Sequence, residues 1–306
     1  DVYKRQVFFT NSGTESCELA VKMARKYWFE KGYHDKFEII TFEGSFHGRS
    51  SAGIAATASE KMTKGFGPLL PGFLSINWNN HEAIKNSISD RTAAILLEPI
   101  QGEGGIRVVP EQCLKGIREF CDENKILLIL DEVQCGVGRT GKLFAHEWAE
   151  IEPDIMMVAK GIGGGFPLGA VLAKENAASG MTAGTHGSTY GGNPLGCSIG
   201  LKVMDIISNP NFLLDVNHKA KNFRAGLSEL LNKNTSIFEE VRGKGLMLGL
   251  KCKVQNIDVV NAGYSNKLLT VPAGDNVVRL LPPLTISDKE IKQALEKLDC
   301  VMTELS

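Results

Sequence analysis

Residues 126–143 read ILLILDEVQCGVGRTGKL, and this stretch decides the fold. An apolar run at 126–130 ends in the acidic pair Asp131 and Glu132, and a glycine-rich turn ending at Lys142 follows. Apolar runs without polar alternation are typical of strands buried on both faces, as in parallel sheets covered by helices. Ligand crevices in such sheets form beyond the carboxyl ends of the strands. We therefore expect Asp131 at the edge of a ligand crevice.

Other short, β-rich apolar segments repeat this pattern through the first two-thirds of the chain. They are VFFT at 7–10, FEIITF at 37–42, AAILLEPI at 93–100, DIMMVA at 154–159 and GAVLAK at 169–174. Residues 110–124 carry apolar side chains at helical spacing, and Pro110 suits the first turn of a helix. This β-α-β alternation predicts an α/β fold, with a mostly parallel sheet and helices on both faces.

The pattern changes after about residue 205, where we expect a smaller α+β domain. Its segments are a helix near 211–232, a strand at 241–250 (VRGKGLMLGL) and an amphipathic helix at 285–305. Ser287 and Glu290 have the spacing of a capping box at the start of the last helix. We predict a large domain at 1–205 and a small C-terminal domain at 206–306.

Composition argues against several classes of function. The 306 residues carry a formal net charge of -1 with no block of one sign, so nucleic acid and anionic membranes are poor partners. The seven cysteines include no C-x-x-C pair, which favours a reducing cytoplasm and disfavours structural zinc. No apolar stretch reaches the roughly 18 to 20 residues of a membrane span. We expect a cytoplasmic protein that binds small molecules and no metal.

Two glycine-rich motifs suggest nucleotide binding but depart from the known patterns. Residues 136–142 match the P-loop spacing G-x-x-x-x-G-K, yet Leu143 stands where a Ser or Thr should ligate Mg²⁺. In AKGIGGGFPLG at 159–169, Phe166 occupies the last glycine position of a dinucleotide fingerprint and Pro167 blocks a helix. A P-loop ATPase remains a distant alternative.

Three other features suit chemistry with an aldehyde cofactor. Lys160 follows an apolar strand, and a lysine in an apolar site can act as an amine nucleophile, although most lysines are solvated surface charges. Asp131 could pair with a protonated pyridine nitrogen or cap the next segment. The segment at 10–27 begins a helix at Ser12-Gly13-Thr14, whose free N–H groups could hold a phosphate or form an ordinary cap.

Together the motifs resemble those of the class III (ω-amino-acid) aminotransferases, which are fold-type I pyridoxal 5′-phosphate enzymes. The motifs occur in the family's order and are NSGTES (11–16), FEGSFHGR (42–49), EPIQGEGG (98–105), LILDEVQCGVGRTGK (128–142), AKGIGGGFPLGA (159–170), HGSTYGGNP (186–194) and RLLPPL (279–284). The resemblance covers nearly the whole chain after DVYKRQ at 1–6. Within the family, residues 180–197 are most similar to acetylornithine aminotransferases.

The resemblance implies pyridoxal 5′-phosphate as the cofactor and gives its site residues. Lys160 would bond to the cofactor aldehyde and then shuttle a proton, while Asp131 would pair with the pyridine nitrogen. The other cofactor contacts implied are Val133 and Phe46 on the two ring faces, Gln134 on the 3′ oxygen, Ser12, Gly13 and Thr14 on the phosphate, and Thr189 on the phosphate of a neighbouring subunit. The Thr189 contact implies a homodimer with shared sites.

For substrates, the resemblance implies that Arg279 binds the α-carboxylate of 2-oxoglutarate and that Glu103 neutralises this arginine in the other half-reaction. Arg49 would take a second substrate carboxylate. The implied reaction moves the ω-amino group of N-acetylornithine to 2-oxoglutarate, as in arginine biosynthesis. Ornithine, succinyldiaminopimelate and 4-aminobutyrate are alternative donors. A segment that precedes NSGTES in relatives is missing here, so an inactive fragment that still binds cofactor is a further alternative.

Overall fold

In the computed structural model, residues 6–78 and 80–306 are described, and they form two main sheets with flanking helices. The strands are β1 (Gln6–Thr10), β2 (Glu38–Phe42), β3 (Phe73–Ile76), β4 (Thr92–Leu97), β5 (Ile100–Gln101), β6 (Arg107–Val108), β7 (Leu127–Asp131), β8 (Ile155–Val158), β9 (Gly169–Ala173), β10 (Phe238–Lys244), β11 (Met247–Cys252), β12 (Val271–Ala273) and β13 (Val277–Leu280). Residues 1–5 of the DVYKRQ segment, which the family resemblance does not include, lie outside the described part.

Ten α-helices and two short 3-10 helices connect these strands within the described residues. The α-helices are α1 (Gly13–Glu30), α2 (Ser51–Thr57), α3 (Glu60–Thr63), α4 (His81–Ser87), α5 (Glu111–Glu123), α6 (Glu175–Ala178), α7 (Pro194–Ile207), α8 (Pro210–Lys233), α9 (Asn256–Ser265) and α10 (Asp288–Glu304). The 3-10 helices are Ala145–Ala149 and Lys160–Gly163.

The larger sheet has seven strands in the order β1-β9-β8-β7-β4-β2-β3. Strand β9 runs antiparallel to both of its neighbours, and the other neighbouring pairs are parallel. The prediction of a mostly parallel sheet in an α/β fold is therefore confirmed. Strands β2, β4, β7 and β8 consequently end at the same edge of the sheet.

Strand β7 shows why an unbroken apolar run was needed at the centre of this sheet. Leu127 and Ile129 pack with α1 on one face, whereas Leu128 and Leu130 pack with α5 on the other. All five residues of the strand are buried. Burying a leucine or isoleucine side chain stabilises a fold by roughly 1.5 to 3 kcal/mol, so both faces contribute to the core.

The predicted strand at 93–100 is wrong at its end, because the structure divides it. Strand β4 stops at Leu97, and Ile100 instead pairs with Val108 in a separate two-stranded sheet. Pro99 has no N–H with which to continue a ladder. The break turns the carboxylate of Glu98 into the interior at the carboxyl edge of the large sheet.

The predicted single strand at 241–250 is also wrong, because it folds as a hairpin. Strands β10 and β11 pair antiparallel with Lys244 opposite Met247. Gly245 adopts a φ of +59°, and a Cβ there would lie 2.4 Å from the backbone carbonyl carbon of Thr140. Only glycine fits this turn without displacing the chain beside it.

A second core lies around the sheet of order β10-β11-β13-β12, which packs against α8, α9 and α10. The predicted capping box is present: the Ser287 hydroxyl accepts the Glu290 N–H, and the Glu290 carboxylate accepts the Ser287 N–H. Helix α7 runs across residue 205, and the division into domains at that position stays a prediction.

Within residues 6–78 and 80–306, no helix combines the length and apolar character needed to cross a membrane. The same residues contain no group of three or more His, Cys, Asp or Glu side chains placed to hold a metal ion.

Candidate active site

Three ionisable side chains meet where the parallel strands end. Asp131 closes β7, and Glu98 directly follows β4. Because Leu97 lies opposite Leu130 in the parallel register, the two acids leave the sheet side by side. His47 comes from the loop after β2 and completes the group.

Asp131 is buried and bound on both oxygens. Its Oδ2 lies 2.8 Å from Nδ1 of His47, and its Oδ1 accepts the Val133 N–H at 3.0 Å. Burial alone would lower the pKa of His47, but the hydrogen bond and negative charge of Asp131, with a contribution from Glu98, outweigh burial and raise it. The raised pKa of His47 favours an imidazolium beside this carboxylate. Sequence reasoning assigned no role to His47, although it stands next to Phe46 in FHGR.

Glu98 is the second side chain that sequence reasoning missed. It is 3% exposed, and its oxygens accept the N–H groups of Phe46 at 2.8 Å and Gly102 at 3.2 Å. Burial raises the pKa of Glu98 to about 7, although His47 lowers it and Asp131 adds to the rise. The signal in the sequence was Pro99, since a strand cannot continue through it and the preceding side chain must leave the ladder.

The start of α1 lies against the turn that follows Asp131. Ser12 caps the helix by accepting the Glu15 N–H at 3.2 Å. A Cβ on Gly13 would lie 2.7 Å from Cγ1 of Val133, and a Cβ on Gly48 would lie 2.8 Å from the Thr14 hydroxyl. The helix start, Val133 and the loop carrying Phe46 are thus brought together, with glycine at each close approach.

Lys160 opens a 3-10 helix just beyond β8, at the same edge as Asp131. Its φ of +46° lies in the left-handed region, where a non-glycine residue is strained, and such strain is common at functional sites. The side chain is exposed and borders a cavity of about 550 Å³. The cavity is lined mainly by apolar groups such as Val137, Val203 and Phe212, as expected for a lysine beside an apolar site.

The predicted substrate pair Arg279 and Glu103 is in contact. Nη1 of the buried Arg279 donates to Oε1 of Glu103 at 2.7 Å and lies 3.4 Å from Oε1 of Gln134. Gly102 packs against the same amide, since a Cβ there would overlap Oε1 of Gln134 at 1.6 Å. The loop 101–105 therefore joins Arg279 to the turn after Asp131.

Arg49 and Phe46 lie on the other side of that loop. The Arg49 guanidinium carbon is 5.5 Å from the centre of the Phe46 ring, and both border a cavity of about 790 Å³ together with Glu103. Thr189 is exposed on the segment before α7. Its predicted contact with a neighbouring subunit, like the roles of the other site residues, stays a prediction.

The glycine-rich turn after Asp131 is held by the buried acid Glu132. Glu132 is fully buried and accepts the N–H groups of Ala145 and His146, each at 2.8 Å. After Lys142 only a 3-10 helix forms, whereas a P-loop leads into a long helix that holds the phosphates. Lys142 is exposed, with its amine 5.3 Å from the centre of the Trp148 ring.

Comparison with known proteins identifies the family. The model of the family "Aminotransferase class-III" matches residues 2–302. This chain is a class III aminotransferase. The P-loop alternative is therefore wrong.

The class III aminotransferase has relatives with named substrates. It is 63% identical to the acetylornithine aminotransferase of Rhodobacter capsulatus over 98% of this chain and 76% of that protein. An N-acetylornithine aminotransferase structure from Stenotrophomonas maltophilia shares 35% identity at a TM-score of 0.85, over 99% of this chain and 76% of that one. An ornithine aminotransferase from Toxoplasma gondii, described with partial occupancy of PLP at its active site, shares 31% identity at a TM-score of 0.93, over 98% and 73% of the chains.

Class III aminotransferases use pyridoxal 5′-phosphate, and the edge of this sheet fits it. Asp131 offers a buried carboxylate for the pyridine nitrogen, and the start of α1 offers backbone N–H groups for the phosphate. Lys160 makes no hydrogen bond or ion pair with other described residues, so its amine can bond to the cofactor aldehyde. These groups supply the acid, anion site and amine that the cofactor requires.

Proposed function

We propose that this aminotransferase moves the ω-amino group of N-acetylornithine to 2-oxoglutarate, giving N-acetylglutamate 5-semialdehyde and glutamate. The observation that carries the proposal is the 2.7 Å contact between Arg279 and Glu103, which suits an enzyme that must accept two unlike substrates. The donor is supported by the acetylornithine aminotransferase of Rhodobacter capsulatus, at 63% identity. The similarity to acetylornithine aminotransferases also supports a place in arginine biosynthesis.

The residues at the sheet edge divide the chemistry among them. When bound, the cofactor supplies an electron sink for the substrate carbon that loses its proton. The Asp131 carboxylate would pair with the pyridine nitrogen, and its hydrogen bond to His47 orients it for that contact. The Lys160 amine would remove the proton from the substrate carbon that bears the amino group and would later give a proton back, so that one residue would act as base and acid.

Arg279 and Glu103 decide which substrate carboxylate enters. With Glu103 paired to it, Arg279 is neutralised and a donor without a carboxylate at that end fits. When 2-oxoglutarate arrives, its α-carboxylate replaces Glu103 on the guanidinium, because a carboxylate can form two hydrogen bonds to a guanidinium where Glu103 forms one. Arg49, which lines the same cavity as Phe46 and Glu103, takes the remaining substrate carboxylate.

We also propose a cytoplasmic homodimer in which Thr189 reaches the cofactor phosphate of the partner subunit. The exposed apolar side chains of Tyr190, Leu195 and Leu201, at and beside α7, support a contact surface there. Light scattering of the purified protein tests the dimer, and a monomer with full activity would contradict the shared site.

The test of the proposed function compares two lysines. Lys160→Ala should abolish both transamination and the visible absorbance of lysine-bound cofactor, whereas Lys142→Ala should keep both because Lys142 is exposed in the glycine-rich turn. A Lys160→Ala variant that still turns over at the wild-type rate would refute the assignment. A panel of N-acetylornithine, ornithine, succinyldiaminopimelate and 4-aminobutyrate at fixed 2-oxoglutarate identifies the donor. Cofactor binding without any turnover would instead support an inactive fragment.

A further inference from the structure

Glu98 connects two loops of the site through its two oxygens. Oε1 accepts the Phe46 N–H at 2.8 Å, and Oε2 accepts the Gly102 N–H at 3.2 Å. Each loop is therefore bound to a different oxygen of one carboxylate. A buried carboxylate is costly unless its oxygens are hydrogen-bonded, so this arrangement stabilises the fold only while both loops stay in place.

The two loops carry different parts of the proposed machinery. The first, at 43–50, follows β2 and holds Phe46, His47 and Arg49. The second, at 101–105, holds Glu103, which contacts Arg279. A second link joins the loops, since Nε2 of Gln101 donates to the Glu43 carbonyl at 3.1 Å, but that link joins the first residue of each loop.

Glu98 lies behind the site and not inside it. No direct hydrogen bond joins it to another charged side chain in the described part of the chain, and it does not line the cavity that Phe46, Arg49 and Glu103 share. Its carboxylate is nevertheless close enough to His47 and Asp131 for their charges to act on it. The geometry is that of a support for other residues.

We propose that Glu98 is a positioning residue whose two oxygens hold the backbones of Phe46 and Gly102 at a fixed separation. The fixed separation would align the cofactor ring, packed by Phe46, with the Arg279–Glu103 pair that binds the substrate carboxylate. This inference rests on the proposed roles of Phe46 and Glu103. The pKa of Glu98 is raised to about 7, so the ionised carboxylate that accepts both N–H groups prevails above neutral pH.

Two substitutions distinguish the effect of the hydrogen bonds that Glu98 makes to both loops from the effect of its negative charge. Glu98→Gln keeps the shape but places an NH₂ group against one of the two backbone N–H groups, so one loop is released. Glu98→Asp keeps the charge but is one methylene shorter, so it reaches only one loop. At pH 8, we expect each variant to raise both the Kd for pyridoxal 5′-phosphate and the KM for 2-oxoglutarate about tenfold, the loss of about one hydrogen bond to a charged group.

A matched control is the buried carboxylate of Asp154, at the opposite edge of the sheet. It accepts the Leu128 N–H at 2.8 Å and pairs with Arg118 at 2.8 Å, away from the cofactor edge. Asp154→Asn should lower the thermal unfolding midpoint while leaving the Kd and the KM unchanged. The control shows what a general loss of stability does to the same two constants.

Wild-type Kd and KM in Glu98→Gln, with only a lower unfolding midpoint, would overturn the proposal. Full function in Glu98→Asp alone would also overturn it, because charge and not bridging would then be sufficient. If Glu98→Gln does not fold, Glu98→Asp carries the test alone. The Kd for the cofactor is measured without turnover, so it tests the role of Glu98 independently of the reaction. If the wild type transaminates none of the proposed donors, only the proposed function is refuted.

Discussion

Replacing Glu103 by Gln should tighten the binding of 2-oxoglutarate, because the substrate carboxylate must displace Glu103 from Arg279. The two side chains are 2.7 Å apart, and the Arg279 side chain is only 6% exposed. Gln keeps the size and one hydrogen-bond acceptor of Glu but removes the competing charge. The substitution therefore changes the electrostatic competition at the guanidinium and little else.

The size of the effect follows from the burial of the two partners. Two unit charges about 4 Å apart attract by about 4 kcal/mol at an effective dielectric constant near 20. The Glu103 side chain is 38% exposed, so solvent screens much of that energy and about 1 to 2 kcal/mol remains. In Glu103→Gln the substrate carboxylate no longer has to overcome this attraction, so the KM for 2-oxoglutarate should fall by roughly five- to thirtyfold.

The assay follows the two half-reactions separately by stopped-flow absorbance of the cofactor. The 2-oxoglutarate half-reaction of Glu103→Gln should saturate at lower substrate, whereas N-acetylornithine should bind more weakly because Arg279 is no longer neutralised. Glu111→Gln is the control, since Glu111 forms a solvent-exposed ion pair with Lys244 and is not paired with Arg279. An unchanged or higher KM for 2-oxoglutarate in Glu103→Gln would refute the competition between the two carboxylates.

Two further predictions concern packing and pH. Gly13→Ala should weaken cofactor binding at least tenfold by titration, because its Cβ would lie 2.7 Å from Cγ1 of Val133, whereas Gly116→Ala in α5 meets no atom within 4 Å and should bind normally; equal binding would contradict the close approach. The raised pKa of Glu98, about 7 against 4.5, means that the folded state binds the proton more tightly, so this residue's contribution to stability is greatest below pH 4.5 and falls as the pH rises to 7. Urea unfolding should show Glu98→Gln gaining up to about 3 kcal/mol relative to wild type over that window, and parallel stability curves would exclude the shift.

The sequence predicted the fold class well where the signal was local. Unbroken apolar runs such as 126–130 indicated buried parallel strands, and the structure places β7 between α1 and α5. The capping box of Ser287 and Glu290 was confirmed for the same reason, since both residues belong to one helical turn. Local spacing determines these features without help from distant parts of the chain.

Two predicted strand boundaries were wrong because the hydrophobicity of a segment does not reveal a break in its backbone. AAILLEPI reads as one apolar run, yet Pro99 ends the ladder and turns Glu98 inward. VRGKGLMLGL reads as one strand, yet Gly245 adopts a positive φ and the chain reverses against Thr140. Hydrophobicity reports neither break, because the first comes from the missing N–H of Pro99 and the second from the close approach of Gly245 to Thr140.

By itself, the sequence determined that this protein has a mostly parallel α/β sheet with an acid at the end of a central strand and a lysine one strand later. Only the tertiary structure decided which side chains support that acid. His47 meets Asp131 from 84 positions away, and Glu98 joins the backbones of Phe46 and Gly102. Spacing along the chain reports contacts within one helix or strand, whereas these contacts exist because parallel strands distant in sequence end at the same edge of the sheet.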